Sequence, residues 1–364
     1  MRDTKLYINT QKIRANISII QKYIGNNIQI MPIIKCNGYG THLNKIIEVI
    51  DNFKYVGIAL VDEGISLRKA GYRGNIFVLY PPSKEEFKDI QKFNLFFNGC
   101  DIEMLEFFDK KTTKKLTIHI EIDTGMGRTW IQIKNIYDYI KRLKKLKNIT
   151  VDGIYSHLSS SSSDIDFSKL QIKRFKKSLD IFKKETIYYN YAHICNSTAI
   201  FSFKDSVFNM VRIGLLIYGY YPNEKFKKVM NLYPSMILKT NINFIKKIDI
   251  NDTVGYNKNF IAQRESTIAT IPFGFGDGFV SLEAWYPYNP YVIIKKAKAP
   301  IIWICMDNMM LDVTDIPKVK IWDEVIIFDN KQLTVEEVAE WCNGICNYEL
   351  ISSLSDRIPR VFIN

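Results

Sequence analysis

Across its first 220 residues the chain alternates short apolar runs with amphipathic stretches, and this alternation limits the fold more than any other feature. The runs "IQIMPIIK", "YVGIAL", "NIFVLY", "LFFNG", "LTIHIEID", "GIYSHL", "YNYAHICN" and "MVRIGLLIYG" read as strands. Between them lie helical patterns. Residues 10–23 place Ile13, Ile17, Ile20 and Tyr23 at helical spacing. Residues 165–184 place Ile172, Phe175, Leu179 and Phe182 on one stripe. Residues 44–51 and 62–71 also read as helices, and Ser83 is the expected N-cap of another. About eight strands in strict β/α alternation predict a parallel (β/α)8 barrel of the TIM type. After about residue 228 the pattern changes. "MILKTNINFIKKIDI", "STIATIPFG", "YVIIKKAKAPIIWICM" and "EVIIF" follow as strands, with a helix over 334–342 opened by Thr334. The expected organisation is a barrel over residues 1–228 and a β-rich domain over 229–364, with "KLYINT" in residues 1–9 joining the second sheet.

The chain of 364 residues, 47% hydrophobic and 24% charged, can build cores for two such domains. Its net charge of +12 invites a nucleic-acid partner. The lysines are dispersed, however, and the densest cluster, "KRLKKLKN" at 141–148, interleaves leucines like the solvated face of a helix. No nucleic-acid partner is expected. Six scattered cysteines form no disulfide framework or zinc spacing, and Cys342 and Cys346 suit one helical face. No metal centre is expected. The polar start "MRDTKLYINTQK" has no signal-peptide core and no apolar run is long enough for a bilayer, so the expectation is a soluble cytoplasmic protein without membrane association. The run "SSSSS" at 159–163 reads as a flexible loop.

Barrel enzymes gather their chemistry at the C-terminal ends of the strands. Here those ends carry Lys35, Asp123 and Arg128, His157, Asn196 and Ser197, and Arg212. Lys35 ends an apolar strand and runs into "CNGYG", where two glycines permit a sharp turn. An amine at a barrel mouth suits a Schiff base with an aldehyde cofactor such as pyridoxal phosphate. "NST" at 196–198 and the backbone of "RIGL" at 212–215 offer donors for its phosphate, and Arg212 is a candidate partner for its ring nitrogen. His157 would either lie flat against the ring or anchor a loop.

These segments resemble, nearly end to end, the alanine racemase family of fold-type III pyridoxal phosphate enzymes. "PIIKCNGYGTH" is similar to the family's lysine motif, and "DTGMGR" at 123–128 is the family's segment unaltered. "GIYSHLSS", "HICNS", "NMVRIGLLIYG", "TVGYN", "IPFGFGDGF", "CMDNMMLDVT" and "RIPRV" follow in order. The resemblance implies that Lys35 holds the cofactor and acts as one acid/base, with Tyr256 as the other. It implies cofactor contacts from Tyr39, His157, Asn196, Ser197, Arg212, Ile213 and Gly214, and substrate contacts from Arg128, Met306 and Asp307. It further implies a homodimer with composite active sites, since Tyr256 and Met306 come from the partner subunit, and racemisation of alanine for peptidoglycan. Two bases flanking Cα are what inversion requires: a proton leaves one face and another arrives on the opposite one. An arginine, always protonated, would keep the ring nitrogen unprotonated.

Three positions depart from the family. Glu121 stands where many members carry a lysine, often carbamylated, and its carboxylate is expected to orient Arg128 in that group's place. Phe275 and Asp356 stand where tyrosines are common. Asp356 keeps open a serine-preferring or broad racemase of the vancomycin-resistance type. A fold-type III decarboxylase would lack the paired "DTGMGR" and Tyr256 segments, and a non-catalytic cofactor-binding regulator would lack residues 229–364.

Overall fold

The computed structural model describes residues 3–129, 131–279, 289–342 and 346–364. The chain divides into two compact units, Arg14–Tyr233 and Met1–Ile13 with Pro234–Asn364.

The first unit is a ring of eight parallel strands: Gln29–Pro32, Tyr55–Ile58, Asn75–Val78, Phe96–Asn98, Leu116–Asp123, Ile149–Tyr155, Tyr191–His193 and Met210–Ile213. Neighbours pair in chain order from Tyr55–Ile58 to Tyr191–His193, and Met210–Ile213 pairs back onto Gln29–Pro32. Two backbone bonds close the remaining seams: Ile34 N–H donates to Gly57 O at 2.9 Å, and Arg212 N–H to Cys195 O at 3.0 Å. Helices follow the strands outside. The helix Ile165–Lys184 starts where the Asp164 side chain accepts from the Phe167 amide, and it buries Ile172, Phe175 and Phe182. The interior holds Met31, Ile33, Tyr55, Phe77, Tyr155 and Met210. His119 and His193 are fully buried with them, stacked on Phe77 and Tyr155 respectively. A barrel centre containing two imidazoles has to satisfy their nitrogens internally.

The second unit is a nine-stranded sheet in the order Phe244–Ile248, Ser266–Ile271, Met309–Asp312, Ala297–Ile304, Tyr291–Ile294, Glu324–Phe328, Met236–Asn241, Lys5–Asn9, Arg360–Ile363. The N-terminal strand does join this sheet, with Leu6 opposite Leu238 on one side and Arg360 on the other. Leu6 and Ile8 are both buried, so the alternation of "KLYIN" is read out directly. The helix Val335–Trp341 carries Thr334 as N-cap, its side chain accepting from the Glu337 amide.

Several local expectations are corrected. Ser83 caps no helix: the helix starts at Phe87, and Glu86 reaches back to accept from the Ser83 amide at 2.7 Å. Cys342 and Cys346 do not share a helical face, because one ends Val335–Trp341 and the other precedes Asn347–Ser353. "YVIIKKAKAPIIWICM" is two strands joined by a tight turn with Lys295 and Lys296 both at positive φ, a geometry that usually selects Asn or Gly. The serine run is tied down: the Ser159 amide donates to Gln171 Oε1 at 3.0 Å and Ser161 is buried. No described helix is long and apolar enough to cross a membrane, and all six cysteines are free.

Candidate active site

Lys35 follows the first barrel strand, half-buried, and opens a turn in which Cys36, Asn37, Gly38, Tyr39 and Gly40 all have positive φ. Each non-glycine residue in that region costs about 1–2 kcal/mol. Hydrogen bonds of about 0.5–1.5 kcal/mol each offset this. The Gly38 amide donates to Ile34 O and the Gly40 amide to Cys36 O. Asn37 Oδ1 accepts from the Leu43 amide at 2.8 Å, and Gly38 O accepts from Thr41 Oγ1 and the Tyr218 hydroxyl. The turn thereby holds Lys35 at the mouth and brings Tyr39 back toward the last strand.

Tyr39 meets that strand at Gly214. A Cβ there would lie 2.4 Å from the Tyr39 hydroxyl oxygen, so glycine lets the Tyr39 ring approach where any side chain would push it aside. The Gly214 amide donates to Ser197 Oγ at 3.1 Å. Two hydroxyls and the backbone after Ile213 therefore converge, a donor set suited to an anionic group. Asn196 spends its Oδ1 on the Thr198 and Ala199 amides, so its work is to shape the loop that carries Ser197.

Arg212 is buried on the last strand. Nη1 donates to His193 Nδ1 at 2.7 Å and to His193 O at 3.1 Å. Nη2 donates to Ser156 O at 2.7 Å and to His157 Nδ1 at 3.0 Å. Those four bonds use every Nη hydrogen and leave Nε–H as the remaining donor. Burial, then the charges of Arg212, Arg128 and Lys35, hold His157 far below the usual imidazole range, so it is neutral. His157 thus anchors the arginine.

The "DTGMGR" segment is shaped by Asp123, whose Oδ1 accepts from the amides of Gly125, Met126 and Gly127. Arg128 emerges from it, its Nη2 3.6 Å from Glu121 Oε1. Glu121 is buried, and burial pushes its carboxyl up to about 7 against the opposing pull of Tyr155 and Arg128. Asn98 Nδ2 donates to Glu121 Oε2 at 2.5 Å.

The barrel thus brings together Lys35, Tyr39, Arg128, His157, Asn196, Ser197, Arg212, Ile213 and Gly214. Tyr256, Met306 and Asp307 belong to the other unit. Tyr256 is exposed and packs edge-on to Trp303, 6.3 Å between centroids. Met306 is exposed in a turn where its carbonyl accepts from the Gly276 amide at 2.9 Å. Asp307 accepts from Arg357. Asp356 is exposed, 3.9 Å from Arg360 Nη1. Among the described residues no group of three or more His, Cys, Asp or Glu could hold a metal ion. Sequence reasoning missed His193, His119 and Asn98. The available signal was a polar residue inside an apolar strand, as in "YAHIC", which reads equally well as a satisfied core histidine.

Known proteins match this arrangement along the whole chain. The family model "Alanine racemase, N-terminal domain" covers residues 8–222 and "Alanine racemase, C-terminal domain" covers 235–362. The alanine racemase of Clostridium novyi (strain NT) is 35% identical over 371 residues, covering 98% of this chain and 94% of its own. Alanine racemase 2 of Caldanaerobacter subterraneus subsp. tengcongensis is 32% identical over 377 residues, covering 100% and 95%. The solved alanine racemase of Clostridium difficile 630 superposes with a TM-score of 0.93 at 29% identity, covering 100% of this chain and 96% of that one. The Bacillus anthracis enzyme with bound L-Ala-P gives 0.93 at 25% identity, with coverage of 100% and 96%. With both domain models matched in order and full-length relatives above 30% identity, the chain belongs to the alanine racemase family.

Proposed function

We propose that this protein interconverts L- and D-alanine by a two-base mechanism using pyridoxal phosphate, supplying D-alanine for peptidoglycan in the cytoplasm. The observation that carries the reading is the cradle at the barrel mouth. Lys35, the Tyr39–Ser197–Gly214 donor cluster and the remaining Nε–H of buried Arg212 are held by one set of strand ends. Their chemistry fits the cofactor: an amine for its aldehyde, hydroxyl and amide groups for its phosphate, and a permanent cation for its ring nitrogen. When bound, pyridoxal phosphate supplies an imine-forming aldehyde and an electron-withdrawing ring that acidifies the substrate Cα–H bond.

The residues then divide the labour. Lys35 Nζ moves the proton on one face of Cα and the Tyr256 hydroxyl moves it on the other. Arg212 donates to the ring nitrogen and, being permanently protonated, cedes no proton to it. This tempers the ring's electron demand. Arg128, faced by Glu121, and the Met306–Asp307 turn receive the substrate and cofactor oxygens. In this reading residues 1–228 carry the cofactor. Residues 229–364 serve the active site of the second copy in a homodimer, so that Tyr256, Met306 and Asp307 act in the partner. Asp356 stands 3.9 Å from Arg360 Nη1, and a serine-preferring enzyme would need this carboxylate to accept from a substrate hydroxyl.

Borohydride reduction of the yellow holoenzyme, followed by peptide mapping, tests the assignment. The label is expected on Lys35, with alanine turnover lost in proportion. A label on another lysine, or a protein that binds no cofactor, would overturn it.

A further inference from the structure

We propose that Asp152 is a positioning residue for Arg212, acting through two buried histidines across the barrel interior. A guanidinium has only donors, so His193 Nδ1, 2.7 Å from Arg212 Nη1, must be an acceptor. The proton of neutral His193 therefore sits on Nε2, 2.8 Å from His119 Nδ1. His119 Nδ1 must then accept as well, which leaves its proton on Nε2, 3.2 Å from Asp152 Oδ2. The sequence of bonds runs one way only: Arg212 donates to His193, His193 to His119, and His119 to Asp152. Each end forbids reversal, because the arginine cannot accept and the ionised carboxylate cannot donate.

Geometry and charge support the same polarity. His119 and His193 are wholly buried, and burial holds both imidazoles below their ordinary range and neutral. Asp152 is almost buried and also accepts from Tyr55 Oη at 2.5 Å and Asn190 Nδ2 at 2.7 Å. Against the cost of its burial, the His119 contact first, then Asn190 and Tyr55, hold its carboxyl at about 2. Without that terminal acceptor His119 Nε2–H is left buried and unpaired, and the pair relieves it only by reversing its tautomers at the expense of the Arg212–His193 bond. A reversed His193 would point Nδ1–H at Arg212 Nη1, donor against donor, and turn the guanidinium away from the orientation that leaves Nε–H free. The consequence for the cofactor rests on the assignment of Arg212 to the ring nitrogen; the tautomer relay does not.

The chain has four histidines, so 15N-histidine labelling of the holoenzyme, with assignment by single substitutions, resolves each ring. In the native protein His119 and His193 are expected as neutral Nε2–H tautomers. Asp152→Leu, which removes the acceptor at similar volume, is expected to populate the Nδ1–H form of His193. It should also shift the visible absorption of the bound cofactor and lower kcat ~10-fold with little change in KM, the size of one hydrogen bond to a charged group. Tyr55→Phe is the control. It also removes a hydrogen bond to Asp152 but lies outside the relay, so it should lower thermal stability while leaving both tautomers unchanged. If Asp152→Leu does not fold, His119→Leu breaks the relay at its centre and should give the same His193 signature. An Nδ1–H or charged imidazole at either position in the native protein overturns the proposal, as does an unchanged His193 tautomer in the folded variant. A relay with the expected tautomers in a protein that binds no pyridoxal phosphate would overturn the functional assignment and leave the positioning of Arg212 standing.

Discussion

Glu121 Oε1 stands 3.6 Å from Arg128 Nη2, with the carboxylate buried and the guanidinium half exposed. Burial makes Glu121 expensive to ionise, and the half-exposed Arg128 offsets that cost only in part. Its folded-state value, about 7, lies above the ordinary 4.5. Below 4.5 the carboxyl is protonated in folded and unfolded chains alike. Stability then falls as pH rises through the interval up to about 7, by about 1.4 kcal/mol per pH unit. Glu121→Gln is expected to escape that loss. It should be more stable than the native protein at pH 8, by up to about 3 kcal/mol, and gain less than about 1 kcal/mol at pH 5. Thermal melts at the two pH values check this. Because the variant also removes the anion facing Arg128, its kcat/KM should fall.

Gly214 and Tyr39 define the second expectation. A methyl at position 214 would overlap the Tyr39 hydroxyl and ring carbon at 2.4 and 2.9 Å. Gly214→Ala should raise the Kd for pyridoxal phosphate ~10-fold or more, the effect of losing one hydrogen bond to a charged group. Tyr39→Phe added to it should restore part of the thermal stability without restoring affinity, since it relieves crowding while deleting a donor. Recovery of affinity in the double variant would show that Tyr39 contributes no bond to the phosphate.

The proposed composite site makes a complementation prediction. Lys35→Ala and Tyr256→Phe homodimers should both be nearly inactive, because general acid–base groups typically contribute ~10²–10⁴-fold. Mixed and exchanged subunits should regain activity, since the heterodimer contains one intact pair. Absence of rescue after exchange is verified by mass spectrometry would argue for a site built within one chain.

Asp356 tests substrate choice. Its carboxylate stands 3.9 Å from Arg360 and is largely exposed, a type of pair that contributes about 0–1 kcal/mol. Asp356→Tyr should leave the serine-to-alanine ratio of kcat/KM within about twofold. A ratio that drops ~10-fold would mean that the carboxylate does bind a substrate hydroxyl, at the strength of a charged hydrogen bond.

The β/α alternation, the strand joining residues 5–9 to the second sheet and the strand-end residues from Lys35 to Arg212 were all legible in the sequence. Side-chain periodicity and strand termini are local properties that the chain writes along its length. The "DTGMGR" segment was visible as a motif, but its shape, three amides converging on Asp123 Oδ1, came only with the backbone. What the tertiary structure alone decided is pairing across sequence distance. It set Tyr39 against Gly214, Asn98 against Glu121, and His119 between His193 and Asp152. The first of these depends on closure of the strand ring, where Met210–Ile213 pairs with Gln29–Pro32 and brings residues more than 170 positions apart together. The direction of the histidine bonds depends on more still: an arginine that can only donate at one end, and a carboxylate held at about 2 that can only accept at the other.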